Sequence, residues 1–382
     1  MIKLLAIHPM EFDGTSYYRA HGIFPNLIKQ FNHQLRIDKY QGDFGRGYNW
    51  TDLQYYDILF LQRPCLDAAK RIRLVNYCKD LGIKIWIDFD DNLFDLPNEN
   101  RLQEDVTNEI RKDMVTILKL ADVITVSTKA LKEFFATLGL VTEVVPNALN
   151  EDITPMAEDY NTPLIGDPIK LLWRGSDTHQ GDLYYSQNEI FKAIDIRQNT
   201  HWHFMGYNPW FITNGMEKGH YTYHKSEDLM IYFRNLRKVK PQLVHFPLMP
   251  NALNFGKSNI AWIESTAAGA VIIAPDWEEW RKTGVINYTS QEHYGELLTR
   301  SLDGDAELWK QSRDYIMENL TLDKVNEQRV RIIERLLGLS TVTITNTDFV
   351  NPNYKNNWEK IRNDIDAKTY EGFSNLPETM IE

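Results

Sequence analysis

The chain has 382 residues, 25% charged and 43% apolar, the composition of an ordinary globular protein and more length than one hydrophobic core organises, so two domains are expected. Its formal net charge of −11 argues against a surface coated for nucleic-acid phosphates, and the excess is uneven, −2 over residues 1–150 and −9 over the remainder. No run approaches the ~20 apolar residues that span a bilayer, and Met1–Ile7 meets His8-Pro9 too early for a secretory signal, so no integral membrane association and a cytoplasmic location are expected.

From the N terminus, short aliphatic runs alternate with longer amphipathic ones, the pattern of βαβ units in a parallel α/β sheet. The predicted strands are Lys3–Ile7, Leu35–Tyr40, Asp57–Leu61, Ile83–Asp88, Asp122–Val126 and Val141–Val145. Helices are predicted over Tyr17–Phe31, Asp67–Leu81, Gln103–Leu120 and Lys129–Leu138, the last stopped by Gly139. Cys65 and Cys78 flank the second of these; a rise of ~1.5 Å per residue sets them about 20 Å apart, beyond disulfide reach, so both are read as reduced thiols.

Residues 150–168 are acidic and broken by Pro155, Pro163 and Pro168, which marks a linker between a first domain at 1–149 and a second at 169–338. The second series runs strand Ile169–Trp173, helix Leu183–Ile196, strand His201–Met205, helix Glu227–Leu236, strand Leu243–Phe246, helix Asn259–Ala268 and strand Val271–Ala274, then helices from Gln291 to Leu337. A tail, 339–382, loses the periodicity.

Two strand-to-helix junctions carry the chemistry. At the first, Leu171-Leu172-Trp173-Arg174-Gly175-Ser176-Asp177-Thr178-His179 ends a strand in a small-residue loop on the ligand-facing edge of a parallel sheet. At the second, Gly256-Lys257-Ser258 leads into a helix with Ser258 as its expected N-cap, an end where free N–H groups attract phosphate. Glu264 follows about a turn and a half later, placed to accept hydrogen bonds from ribose hydroxyls. A third run, Asp88-Phe89-Asp90-Asp91, puts carboxylates at a strand end, suited to an acceptor hydroxyl or a metal ion.

These motifs resemble the nucleotide-sugar site of GT-B glycosyltransferases, particularly the retaining group and its relatives in bacteria and their viruses. The resemblance implies two Rossmann-like domains with parallel sheets facing across a cleft. It also implies transfer of a hexose or pentose from a nucleoside-diphosphate sugar such as a UDP-sugar. On the donor side it places Arg174, Gly175, Ser176, His179, Lys257, Ser258, Asn259 and Glu264, with Arg174 stabilising the departing diphosphate and His179 standing where the group has a lysine. Asp90 and Asp91 join Arg174 as candidate catalytic residues, and Tyr17, Tyr18 and Arg19 fall on the acceptor side of the first domain. Where retaining members have a second glutamate eight residues before Glu264, this chain has Gly256, which leaves the anomeric outcome open.

No cofactor and no metal are expected, since Arg174, the helix start and Lys257 supply positive charge. A nicotinamide enzyme is disfavoured because the first strand-to-helix turn lacks Gly-x-Gly-x-x-Gly and Gly42, Gly45 and Gly47 read as a loop. His201/His203 and His220/His224 read as core or loop histidines rather than zinc ligands. The expected partner is a saccharide-type acceptor, met by Tyr17, Tyr18, Tyr48 and Trp50; hydroxymethylated DNA, met by Arg63, Lys70, Arg71 and Arg73, is the alternative. A non-catalytic nucleotide- or glycan-binding protein on the same fold is the remaining reading.

Overall fold

The aliphatic runs form two parallel sheets of six strands each in the computed structural model, which describes residues 1–8, 14–41, 50–64, 68–98, 100, 102–300 and 305–339. The first holds β1 (Ile2–His8), β2 (Leu35–Gln41), β3 (Ile58–Gln62), β4 (Lys84–Phe89), β5 (Val123–Val126) and β6 (Glu143–Val144), in the order β2-β1-β3-β4-β5-β6. The second holds β7 (Ile169–Gly175), β8 (Thr200–Gly206), β9 (Tyr221–Lys225), β10 (Leu243–His245), β11 (Val271–Pro275) and β12 (Ile286–Tyr288), in the order β12-β11-β10-β7-β8-β9. Strands β3 and β11 are buried along their whole length, as parallel strands covered by helices on both faces must be. Strand order reverses between β1 and β3 in one sheet and between β7 and β10 in the other, the crevices where α/β proteins bind ligands. Two Rossmann-like units over a cleft are the architecture the motifs implied.

Three predicted helices are each divided. Tyr17–Phe31 becomes Gly14–Arg19 and Phe24–Gln30, because Pro25 belongs in a first turn, where its missing N–H costs nothing. Gly22 sits between them, so close to the Tyr17 carbonyl that a Cβ there would lie 2.5 Å from it. Gln103–Leu120 becomes Leu102–Asp105 and Asn108–Leu120, restarted by the Thr107 hydroxyl accepting the Ile110 N–H at 3.3 Å. Leu183–Ile196 becomes Gln180–Tyr185 and Gln187–Ile196, on either side of the buried Ser186. Strands β9 and β12 were not predicted. The polar Tyr221-Thr222-Tyr223-His224-Lys225 run is half exposed at the sheet edge and carries no buried apolar signal.

The last helix leaves its own half. Leu322–Leu336 packs on Phe24–Gln30, where Asn326 Nδ2 donates to the Ile23 carbonyl at 3.1 Å and to Asn26 Oδ1 at 2.9 Å, and Gln30 Nε2 donates to the Asp323 carbonyl at 2.7 Å. Just before it, Leu149 N–H donates to the Leu320 carbonyl and Leu322 N–H to the Leu149 carbonyl, both at 2.8 Å. One buried apolar cluster therefore runs through both halves, from Phe60 and Trp86 through Ala148 to Val244, Trp262 and Ile332. Cys78 is buried in the first half, and burial pushes its thiol up to about 12. Cys65, Gly42, Gly45, Gly47, Tyr48 and the tail beyond Leu339 lie outside the described residues. Among the described residues no helix is long and apolar enough to cross a membrane.

Candidate functional site

The carboxyl ends of both sheets open on one cavity of about 610 Å³, lined from the first half by residues including Gly14, Thr15, Tyr18, Arg63, Asp90, Asp91 and Asn147. The second half contributes Arg174, Gly175, Ser176, Thr178, His179, Lys257, Ser258 and Glu264, and also Gly206, Lys225 at the end of β9, Ser226, Glu227 and Tyr232. Strands β7 and β8 end in register at Gly175 and Gly206. Gly206 has φ +101°, and a Cβ on it would stand 2.3 Å from the Gly175 carbonyl oxygen. The Gly206→Ala variant should therefore lose about 1–3 kcal/mol or more of stability from backbone strain and the clash together, read as a lowered urea midpoint; an unchanged midpoint would contradict this.

Glu264, on the helix Ile260–Ala267, is the hub. Its Oε1 accepts the Tyr18 hydroxyl at 2.7 Å, and its Oε2 accepts the Tyr232 hydroxyl at 2.6 Å and the Arg174 guanidinium. Tyr18 comes from the first half, so this carboxylate ties the two halves together across the cleft. Burial raises both phenols well above their ordinary range, with Glu264 adding to the effect, and both remain protonated donors. Burial disfavours the Arg174 cation, but Glu264 outweighs it and the pKa rises. The Arg174 Nε–H is buried and has no acceptor among the described residues, which leaves one donor unused beside the cleft.

A second ion-pair network spans the same gap. The Arg63 guanidinium, held at φ 44°, bonds both Asp90 and Asp91 just beyond β4, and Lys257 from the other half reaches Asp91 Oδ1 at 3.2 Å. Burial pushes both carboxyls up; for Asp91 the cations Lys257 and Arg63 outweigh it and leave the group at about 2, whereas Asp90, beside Asp91, stays raised. Arg63 thus lines the cleft, which Lys70, Arg71 and Arg73 do not.

At the helix start the structure differs from expectation by one residue. The N-cap is Asn259, without a side-chain cap bond, while the Ser258 hydroxyl accepts from Asn147 Nδ2 at 2.8 Å. The Asn259 backbone N–H points to the Glu279 carboxylate, whose pKa is raised to about 7 by burial, against the lowering effects of Lys282 and that N–H. Ser258 and Lys257 line the cleft; Asn259 does not. Gly256 packs on the first half: a Cβ there would lie 2.9 Å from Leu131 Cδ2, and its carbonyl accepts the Thr128 hydroxyl at 3.1 Å. A side chain at this position would have to displace the Leu131 methyl.

The acceptor-side residues separate. Tyr18 lines the cleft, but Tyr17 is buried behind it, edge-on to Tyr18 and 5.6 Å from the Phe233 ring of the other half. Arg19 lies deeper still, in a two-point ion pair with Asp88 (Nε to Oδ1 2.9 Å, Nη2 to Oδ2 2.7 Å), with Nη1 donating to the Val145 carbonyl at 2.6 Å and Asn147 Oδ1 at 3.0 Å. Tyr232, Asn147 and residues 225–227 are cleft residues that sequence reasoning missed. Only the glycine closing β8 hinted at a ligand-facing edge there.

Neither a protein-family model nor a curated protein sequence matches the chain. Solved structures share its fold. Sucrose-phosphate synthase from Thermosynechococcus elongatus matches at 12% identity and TM-score 0.65 over 89% of this chain and 100% of that one. S. aureus TarM, a variant solved with fondaparinux, alpha-GlcNAc-glycerol and UDP, matches at 11% identity and TM-score 0.53 over 72% of this chain and 55% of TarM. UDP-GlcNAc 2-epimerase from Methanocaldococcus jannaschii matches at 12% identity and TM-score 0.50 over 87% of this chain and 100% of that one. The chain has the GT-B fold, as found in glycosyltransferases.

Proposed function

We propose that the protein transfers a sugar from a nucleoside-diphosphate sugar, of the UDP type, to a hydroxyl of a saccharide-type acceptor. The observation that carries this reading is the convergence of Arg174, His179 and Lys257 on one cleft between the two halves, with an unused Arg174 donor among them. Such donors favour a diphosphate and stabilise its charge as it leaves. Tyr18 and Tyr232 each give a hydroxyl to a different oxygen of Glu264, the arrangement by which two vicinal ribose hydroxyls would be held, so an arriving donor can replace them. The fold shared with sucrose-phosphate synthase and with TarM bound to UDP supports the class. Asp90 is the acceptor-side carboxylate best suited to take a proton, because its raised pKa favours proton uptake.

No metal is assigned, because Arg63 and Lys257 already neutralise Asp90 and Asp91. Incubation with UDP-glucose or UDP-N-acetylglucosamine and glycan extracts should give labelled glycan at a rate unaffected by EDTA. Loss of transfer with EDTA and its return with manganese would make the two aspartates metal ligands instead. Epimerised donor without transfer, the reaction named for one structural neighbour, would replace the transferase reading. Labelling of hydroxymethylated DNA in preference to glycan would overturn the acceptor class.

A further inference from the structure

A guanidinium short of an acceptor lies where the last helix meets the first half. Arg329, on Leu322–Leu336, is 2% exposed; its Nη1 donates to Asn326 Oδ1 at 2.9 Å, and its Nη2 is buried with no acceptor among the described residues. Asp88 attracts this cation, but both Asp88 oxygens are already taken, Oδ1 by Arg19 Nε and Oδ2 by Arg19 Nη2 and the Thr125 hydroxyl. Burial, and after it the Arg19 charge, lowers the Arg329 pKa to about 9 against the pull of Asp88, so the group stays a cation at neutral pH. Two guanidiniums therefore share one carboxylate. The group carries a net positive charge where Arg19 is 1% and Asp88 and Arg329 are each 2% exposed, a position that normally demands a counter-charge.

Gln62 adds a second unsatisfied group. It is fully buried at the end of β3, in register with Asp88 on β4 and so on the same face of the sheet, and neither atom of its amide has a partner among the described residues. Folded proteins leave few such atoms unpaired, and an ion or water commonly completes them. Water would satisfy the hydrogen bonds but not the charge; an anion satisfies both. Enclosure favours a small anion that sheds its water readily, chloride rather than phosphate or sulfate. We propose that Arg329 and the Gln62 amide bind one chloride ion between the last helix and the first sheet, fastening the returning helix to the first half. Neither residue lines the cleft, so this inference stands independently of the donor-site reading.

The test is urea unfolding of the full chain across a chloride series, with sodium held constant by gluconate, an anion too large for an enclosed site. A ligand that binds only the folded chain raises the folded-to-unfolded ratio about ten-fold for each ten-fold rise above its dissociation constant. The wild type should show that rise with chloride and with bromide. Arg329→Met removes the buried cation while keeping much of its volume, and should unfold at one midpoint in chloride and in gluconate. Gln62→Leu should need about ten-fold more chloride for the same gain, the weight of one hydrogen bond to a charged group. Crystals of the wild type grown in bromide give a reading that needs no variant, an anomalous peak beside Arg329 Nη2. A wild type indifferent to the exchange of gluconate for chloride, a chloride response that persists in Arg329→Met, an unshifted series in Gln62→Leu, or a bromide crystal without that peak overturns the proposal.

Discussion

Arg174→Ala should lower the affinity for UDP or GDP by about ten- to a hundred-fold, since each charge-assisted hydrogen bond to a phosphate oxygen contributes about 1.5–3 kcal/mol. Glu264→Ala should weaken the same ligands as well, since on the proposed reading its carboxylate accepts the ribose hydroxyls. The geometry adds a condition on reading these numbers. Arg174 and Glu264 are partners, and removing either leaves the other in a site where Glu264 is 4% and Arg174 17% exposed along the side chain. A melting curve must therefore accompany each titration, so that affinity lost through unfolding is separated from affinity lost through contact. Wild-type affinity in both folded variants, or no affinity for either nucleotide in the wild type, would remove the donor site from this cleft.

The second large effect is on stability. Arg19→Met should cost about 3–5 kcal/mol, because it strands Asp88 in an ion pair whose side chains are 0% and 3% exposed. Asp88 Oδ2 also accepts the Thr125 hydroxyl at 2.6 Å, which in turn accepts the Trp86 indole N–H at 2.8 Å, so the loss reaches into the sheet. Replacing Asp88 with Leu in the same chain should restore part of the loss, since the uncompensated charge is then gone. A single-variant loss below about 1 kcal/mol in urea titration would mean that water or a rearranged partner already satisfies Asp88.

The sheets were legible because their strands carry local signals. The buried run Val271–Pro275 and the alternation of aliphatic and amphipathic stretches need no tertiary knowledge to be seen. The helix breaks were not, since a periodic apolar pattern continues through Gly22 and Ser186 even where the backbone turns. The two strand-to-helix junctions do meet in one cleft, which Asp90 and Asp91 also line. What escaped was every contact made between distant segments. Tyr232 reads as one more aromatic residue on an amphipathic helix, and only the fold brings it to Glu264 beside Tyr18, 246 residues away from that glutamate. Arg19 shows the same limit from the other side: beside Tyr18 in sequence, it turns away from the cleft and becomes the first half's buried bolt.

The two places where the chain crosses between halves lie side by side, Leu149 on the outward passage bonded through both its backbone groups to Leu320 and Leu322 on the return. Two straps stitched together at one point act as a single pivot. A relative rotation of the sheets would swing about that line, and the ion pairs joining Arg63, Asp91 and Lys257 across the cleft would resist it.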